Sequence, residues 1–103
     1  MTLAKRIKLS RIRPGAYEFR CTFDGARPGD VFVWSVFQDD NGDWNDHPLI
    51  LGADGECVGA AGGLYEDDRY TRLRDIRAAI ESATVRIGPW CEAFGSYSVW
   101  LNG

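Results

Sequence analysis

The sequence predicts an α+β domain in which a mostly antiparallel, meandering sheet of five or six strands carries one α-helix across one face. Three observations lead to this prediction. Residues 16–23 alternate apolar and polar side chains, residues 31–37 are apolar on both faces, and residues 66–83 repeat apolar side chains at helical spacing. A chain of 103 residues has room for one modest core, so we expect residues 1–103 to form a single domain.

The first three strands are expected in chain order between turn signals. A strand at about 4–12 is followed by Arg13-Pro14-Gly15, which favours a reversal into the alternating strand 16–23. Residues 25–30, GARPGD, form the next turn. Strand 31–37 has hydrophobic side chains on both faces, which is typical of a central strand that is covered on both sides.

Two hairpins are predicted after the central strand. Asn41-Gly42 is a strong hairpin signal, and it places residues 38–46 in a loop before the apolar run around Ile50. Asp54-Gly55 then joins a strand at 48–53 to a short segment at Cys57-Val58.

Residues 66–83 predict the helix, with Arg77 and Glu81 as an i,i+4 ion pair on its solvent face. Short strands are expected at 84–89 and at 96–102. A helix of about eighteen residues spans roughly 27 Å, enough to cover one face of the sheet but not both. The other face therefore needs a second cover. The sheet would curl into a partial barrel, or another protein or a second copy of the chain would pack on it.

Composition excludes several classes of protein. The formal net charge is −3, and no apolar run reaches the eighteen or so residues of a membrane helix, so no membrane partner is expected. The basic N-terminus lacks the apolar centre of a secretory signal. The three cysteines are widely separated, which indicates buried thiols in a cytoplasmic protein and no disulfide framework.

The stretch QDDNGDWNDHP, residues 38–48, is the main candidate for a functional site. A tryptophan surrounded by carboxylates resembles an interface hot spot with a charged rim, which suits a partner protein with a basic surface. The predicted contact residues are Asp39, Asp40, Asp43, Trp44 and Asp46. Two structural alternatives remain open: the aspartates only form a turn, and Trp44 folds back across the hairpin.

The same stretch is a poor metal site. Asp39, Asn41 and Asp43 have the one-three-five spacing of a calcium loop, but Trp44 and Ile50 stand where that loop needs glycine and glutamate. Zinc would have to draw on ligands that are not paired at short spacing: Cys21, Cys57, Cys91 and His47. We therefore predict no metal and no cofactor.

Two other functions remain as alternatives. A single-stranded nucleic acid would be bound by basic residues of the first strand, with Tyr17, Phe19 and Phe23 as stacking platforms. Those basic residues are Lys5, Lys8, Arg11 and Arg13. An enzyme would be centred on His47, with Cys91 or a serine as nucleophile and Asp46 as the group that orients the imidazole.

The sequence thus predicts a small non-catalytic protein-binding domain that acts as an inhibitor or adaptor. Regulators encoded by phages and other mobile elements, including inhibitors of nucleic-acid-handling machinery, share this size and acidity, although that comparison is an analogy.

Overall fold

The computed structural model describes residue 3, residues 6–64 and residues 72–102. Within them the elements are β1 (Ser10–Arg13), β2 (Ala16–Cys21), β3 (Val31–Gln38), β4 (Trp44–Leu51), β5 (Cys57–Ala60), α1 (Leu73–Glu81), β6 (Thr84–Ile87) and β7 (Val99–Asn102). The first five strands form one antiparallel sheet in the order β1-β2-β3-β4-β5, and β6 pairs with β7 in a second sheet. The predicted α+β fold with a meandering antiparallel sheet is confirmed, and the sheet is open rather than closed into a barrel.

Strand β3 is the centre of the large sheet, as its hydrophobic side chains predict. Trp34 pairs with Phe19 of β2 on one side and with Pro48 of β4 on the other. Because side chains alternate along a strand, the even-numbered residues of β3 point to one face, which we call the inner face. Phe32, Trp34 and Val36 are completely buried there.

One layer covers the inner face. It consists of the N-terminal segment before β1, the helix α1, and the second sheet together with the residues just before β7. Its buried side chains are Ile7, Leu9, Ile76, Ile80, Val85, Ile87, Tyr97 and Val99. The opposite face, which we call the outer face, carries the odd-numbered residues of β3 and β4. Among the described residues, only Val33 of this set is a buried hydrophobic residue, and none of the set belongs to the core cluster that packs on the inner face. The prediction that one helix cannot cover both faces therefore agrees with the structure.

The predicted strand 4–12 is shorter in the structure and lies later, at Ser10–Arg13. The main chain of Leu9 bonds to the helix instead of to a strand: its N–H donates to the Glu81 carboxylate (2.9 Å) and its carbonyl accepts from Arg77 (3.1 Å). Side chains of α1 thus replace a strand partner, and Ile7 and Leu9 enter the core.

The predicted loop 38–46 is wrong at both ends, because Gln38 belongs to β3 and residues 44–46 belong to β4. The register pairs Gln38 with Trp44, so the turn contains only residues 39–43. A strand beginning at Trp44 was not predicted because two of its first three residues are Asn45 and Asp46, which are usually depleted in strands.

The helix α1 begins at Leu73, and the predicted helical residues 66–71 lie outside the described residues. Ile76 and Ile80 are fully buried, as the predicted apolar stripe requires. The strands predicted at 84–89 and 96–102 are present as β6 and β7. Within the described part of the chain, no helix has the length and hydropathy needed to cross a membrane.

Candidate protein-binding surface

Residues 39–43 form a turn that is organised by the carboxylate of Asp39. One of its oxygens accepts from the N–H groups of Asn41 (2.9 Å) and Asp43 (3.0 Å), and the other accepts from Asn45 Nδ2 (3.1 Å). The hydrogen bond from Asn45, followed by that from the Asp43 N–H, lowers the pKa of Asp39. Gly42 has φ +85° and donates its N–H to the Asp39 carbonyl. Asp39 therefore serves the turn, as the structural alternative predicted.

Trp44 and Asp46 lie inside the protein, so the predicted tryptophan in a ring of exposed aspartates is wrong. Trp44 is 9% exposed and packs on Tyr17, with ring centroids 6.0 Å apart. Asp46 is 5% exposed and accepts hydrogen bonds from Trp34 Nε1 (2.9 Å) and the Leu64 N–H (2.8 Å). Both residues occupy inward positions of β4. Of the five predicted contact residues, only Asp39, Asp40 and Asp43 remain at the surface, on the turn.

The outer face of the large sheet is a partly exposed hydrophobic surface. Val31 lies opposite Leu51 and Val33 lies opposite Leu49, so the four side chains form one contiguous strip. Val31, Leu49 and Leu51 are half-buried, whereas Val33, in the middle of the strip, is 3% exposed. This strip, which we call the outer strip, is not part of the core cluster on the inner face.

The end of the outer face near the acidic turn carries an aromatic stack. The imidazole of His47 lies parallel to the ring of Phe37, with centroids 5.3 Å apart and planes inclined by 9°. Asn45, which pairs with Phe37, bonds to the carboxylate of Asp39. The outer face therefore passes from a hydrophobic strip to a polar, acidic border.

Of the predicted catalytic partners of His47, Asp46 lies on the other face of the sheet, whereas a serine, Ser35, lies directly opposite His47 in the register of β3 and β4. His47 is exposed on the outer face, whereas Asp46, its neighbour, points to the inner face and cannot orient the imidazole. Cys21, Cys57 and Cys91 form no disulfide bond. The prediction that they are buried is wrong, because Cys57 is exposed and the other two are half-buried. No three His, Cys, Asp or Glu side chains of the described residues come together as a metal site.

The basic residues of the first strand and the neighbouring aromatic residues lie on different surfaces. Lys8, Arg11 and Arg13 are exposed, and Lys5 lies outside the described residues. The rings proposed as stacking platforms face inward instead, with Tyr17 against Trp44, Phe19 against Phe32, and Phe23 against Tyr97. The described cations that the nucleic-acid alternative needs are therefore exposed, but the aromatic rings that would stack on the bases face inward.

One polar cluster was missed by sequence reasoning. Asp30 is 3% exposed, and one of its carboxylate oxygens accepts from Tyr97 Oη (2.6 Å) and Arg27 Nε (3.0 Å). The guanidinium of Arg27 also lies 3.4 Å from the ring centroid of Trp90. The hydrogen bond from Tyr97 and, less strongly, the contact with Arg27 lower the pKa of Asp30, and burial raises the pKa of Tyr97.

This cluster borders an open cavity of about 420 Å³ lined by Arg27, Pro28, Asp30, Ala53 and Asp54. The charged groups that line the cavity already have partners within the protein. Asp30 is hydrogen-bonded to Arg27, and the Asp54 carboxylate accepts a hydrogen bond from the Glu56 N–H. No local motif signals the cluster, since Asp30 and Tyr97 are 67 residues apart. Its contacts join the turn before β3 to the segment before β7, which indicates a structural role.

Comparison with protein-family models, with curated proteins and with solved structures gives no match to this chain.

Proposed function

We propose that this chain is a small protein-binding domain, an inhibitor or adaptor, that contacts its partner through the outer face of the large sheet. The outer strip is the observation that supports this proposal. It leaves Val31, Leu49 and Leu51 partly exposed while the helix and the second sheet both pack on the inner face. Contiguous apolar surface of this kind on a small protein is a feature of interaction sites.

The acidic turn supplies the polar border of the proposed interface. Asp40 is exposed and makes no hydrogen bond or ion pair with a described residue, and Asp43 is half-buried beside it. The bond from Asn45 to Asp39 brings this turn next to the outer face. A partner that presents an apolar surface bordered by lysine or arginine would complement both parts.

This role needs neither catalysis nor a cofactor. By analogy of size and acidity, we place the protein among cytoplasmic regulators of the kind that phages and other mobile elements use against nucleic-acid-handling machinery.

The test is affinity capture from host lysate with mass spectrometry, using the full chain and the Leu49→Arg variant. The matched control is Trp100→Arg, because Trp100 is 50% exposed and lies on β7 of the second sheet. We expect a stoichiometric partner to be captured by the wild type and by Trp100→Arg, and to be lost by Leu49→Arg. Circular dichroism of all three proteins checks that they are folded.

Capture that survives Leu49→Arg would reject the outer face as the interface, and an empty wild-type lane would reject the protein-binding proposal in that host. Light scattering identifies the case in which the partner is a second copy, since the wild type would be a dimer and Leu49→Arg a monomer.

The contribution of the acidic turn is measured on the captured partner with an Asp40→Lys, Asp43→Lys variant. We expect affinity to fall at least tenfold at low salt, mainly through a slower association rate, because exposed charges steer encounter more than they hold the complex. An unchanged association rate would remove the turn from the interface.

A further inference from the structure

Among the described residues, the cations that make no ion pair and no contact with an aromatic ring are concentrated in one segment. Arg6, Lys8, Arg11 and Arg13 are exposed and make no ion pair with a described residue. The other described arginines are engaged: Arg20 with Glu18, Arg27 with Asp30, Arg72 and Arg74 with Asp75, Arg77 with Glu81, and Arg86 over the ring of Trp100. The chain contains no acidic residue before Glu18, so the segment itself supplies no carboxylate to offset its positive charge.

The same segment contains an open edge of the large sheet. Strand β1 is the terminal strand of the large sheet, has four exposed residues, and among the described strands pairs only with β2. The main chain of Leu9 is occupied by Glu81 and Arg77, but no hydrogen bond between described residues reaches the open side of residues 10–13. Ile12, on this edge, is 49% exposed.

We propose that the β1 edge binds an extended, acidic segment of a partner polypeptide, which adds to the sheet as a sixth strand beside β1. An unpaired strand edge offers main-chain N–H and C=O groups that only another polypeptide strand can pair with along its length. The four residues of β1 correspond to a slot about 13 Å long. This site is separate from the outer face. The proposal for the β1 edge and the proposal for the outer face therefore do not depend on each other.

Charge decides which strand the edge accepts. Two copies of this chain would place Arg11 and Arg13 opposite like charges, which opposes edge-to-edge dimerisation. Glutamates or aspartates of an incoming strand would face the same arginines favourably. Nucleic acid would use the cations but not the strand edge, and the neighbouring rings of Tyr17 and Phe19 are turned inward.

The experiment uses the ¹⁵N-labelled full chain and a blocked octapeptide that alternates glutamate and valine. A second peptide of the same sequence has every main-chain nitrogen methylated, so that it keeps its charge but cannot donate strand hydrogen bonds. We expect amide shifts at residues 10–13 and in β2 with the first peptide, and at least tenfold weaker binding of the methylated one.

Matched variants separate the edge from general attraction. Arg11→Glu with Arg13→Glu should weaken peptide binding at least tenfold. Arg72→Glu with Arg74→Glu makes the same change of net charge near the start of α1, and it should change the affinity by less than twofold.

Three outcomes would overturn the proposal. The first is an absence of shifts at 1 mM peptide, and the second is equal binding of the methylated peptide, which would show attraction without strand pairing. The third is tighter binding of a twelve-residue oligothymidylate to the same residues, which would make the edge a nucleic-acid site.

Discussion

The sequence places Asp46 in a surface loop. In the structure its carboxylate lies in the interior of the protein. Its charge is stabilised there by two donors, Trp34 Nε1 and the Leu64 N–H. Gly63 makes this approach possible, because a Cβ at that position would collide with the carbonyl and the carboxylate of Asp46. The glycine at position 63 thus leaves room for the buried carboxylate of Asp46, seventeen residues earlier in the chain.

The Asp46→Ala variant should lose about 2–4 kcal/mol of unfolding free energy, because two donors at a buried site lose their acceptor. Urea unfolding followed by tryptophan fluorescence measures this difference. Asp40→Ala, on the exposed turn, is the control and should change stability by less than about 0.5 kcal/mol. A similarly small loss for Asp46→Ala would mean that the buried carboxylate does not hold Trp34.

The N-terminal segment and α1 are connected by an ion pair that serves two purposes. Arg77 and Glu81 pair on the helix at 3.5 Å, as their i,i+4 spacing predicts. The sequence placed this pair on the solvent face, where it would contribute only to the helix. In the structure the same side chains also bind the N–H and the carbonyl of Leu9. This contact directs Leu9 into the core. Pairing of the first strand with β2 therefore begins only after Leu9, at Ser10.

Glu81→Ala should therefore destabilise the protein by about 1–2 kcal/mol, more than the 0.3–0.5 kcal/mol or so of a surface i,i+4 pair. Thermal unfolding of Glu81→Ala, Arg77→Ala and the double variant gives the coupling between the two residues. A loss below about 0.5 kcal/mol for Glu81→Ala would show that the bond to Leu9 contributes nothing. Hydrogen exchange at the Leu9 amide, which should become faster in Glu81→Ala, provides an independent measurement.

At the scale of the whole molecule, the two sheets are joined by polar contacts as well as by the common core. Asp30, directly before β3, accepts from Tyr97, two residues before β7, and the Tyr97 N–H donates to the Val58 carbonyl of β5 (2.8 Å). The pKa of Asp30 is lower in the folded protein than its ordinary value of 3.8. Protonation of Asp30 therefore favours the unfolded chain.

This linkage predicts acid sensitivity. Because the pKa of Asp30 is lowered on folding, its contribution to stability is present above about pH 4 and is lost as the pH falls through the folded pKa. Thermal unfolding midpoints between pH 7 and pH 2.5 should fall more steeply for the wild type than for Asp30→Asn, and the two curves should converge at the acidic end. Asp40→Asn should keep the wild-type slope. Parallel curves for Asp30→Asn and the wild type would show that this carboxylate is not linked to folding.

Local periodicity was sufficient to predict most of the elements. The alternation after Ala16, the hydrophobic run at β3 and the spacing of Ile76 and Ile80 each report a side-chain period that the backbone geometry imposes. Glycines at positions 15, 42 and 55 mark turns because each has a positive φ near 80–85°. These signals depend only on neighbouring residues, so they can be read without knowledge of the tertiary structure.

The candidate site was predicted less well, because exposure is not a local property. Trp44 and Asp46 resemble loop residues by composition, yet the register with β3 starts a strand at Trp44 and turns both side chains inward. Asp30 and Tyr97 meet across 67 residues, a distance at which no spacing rule applies. The pairing of the last two strands in a sheet of their own is likewise a property of the tertiary structure.

By itself, the sequence determined the fold class, the central position of β3 and the turns. It also determined that the one predicted helix is too small to cover both hydrophobic faces of the sheet. Only the tertiary structure decided which face of the sheet is left uncovered, which carboxylates are buried, and that the unpaired cations lie along an open edge. The physical reason is that side-chain period and turn conformation arise from a few adjacent residues, whereas burial and charge pairing depend on contacts between segments that are distant along the chain.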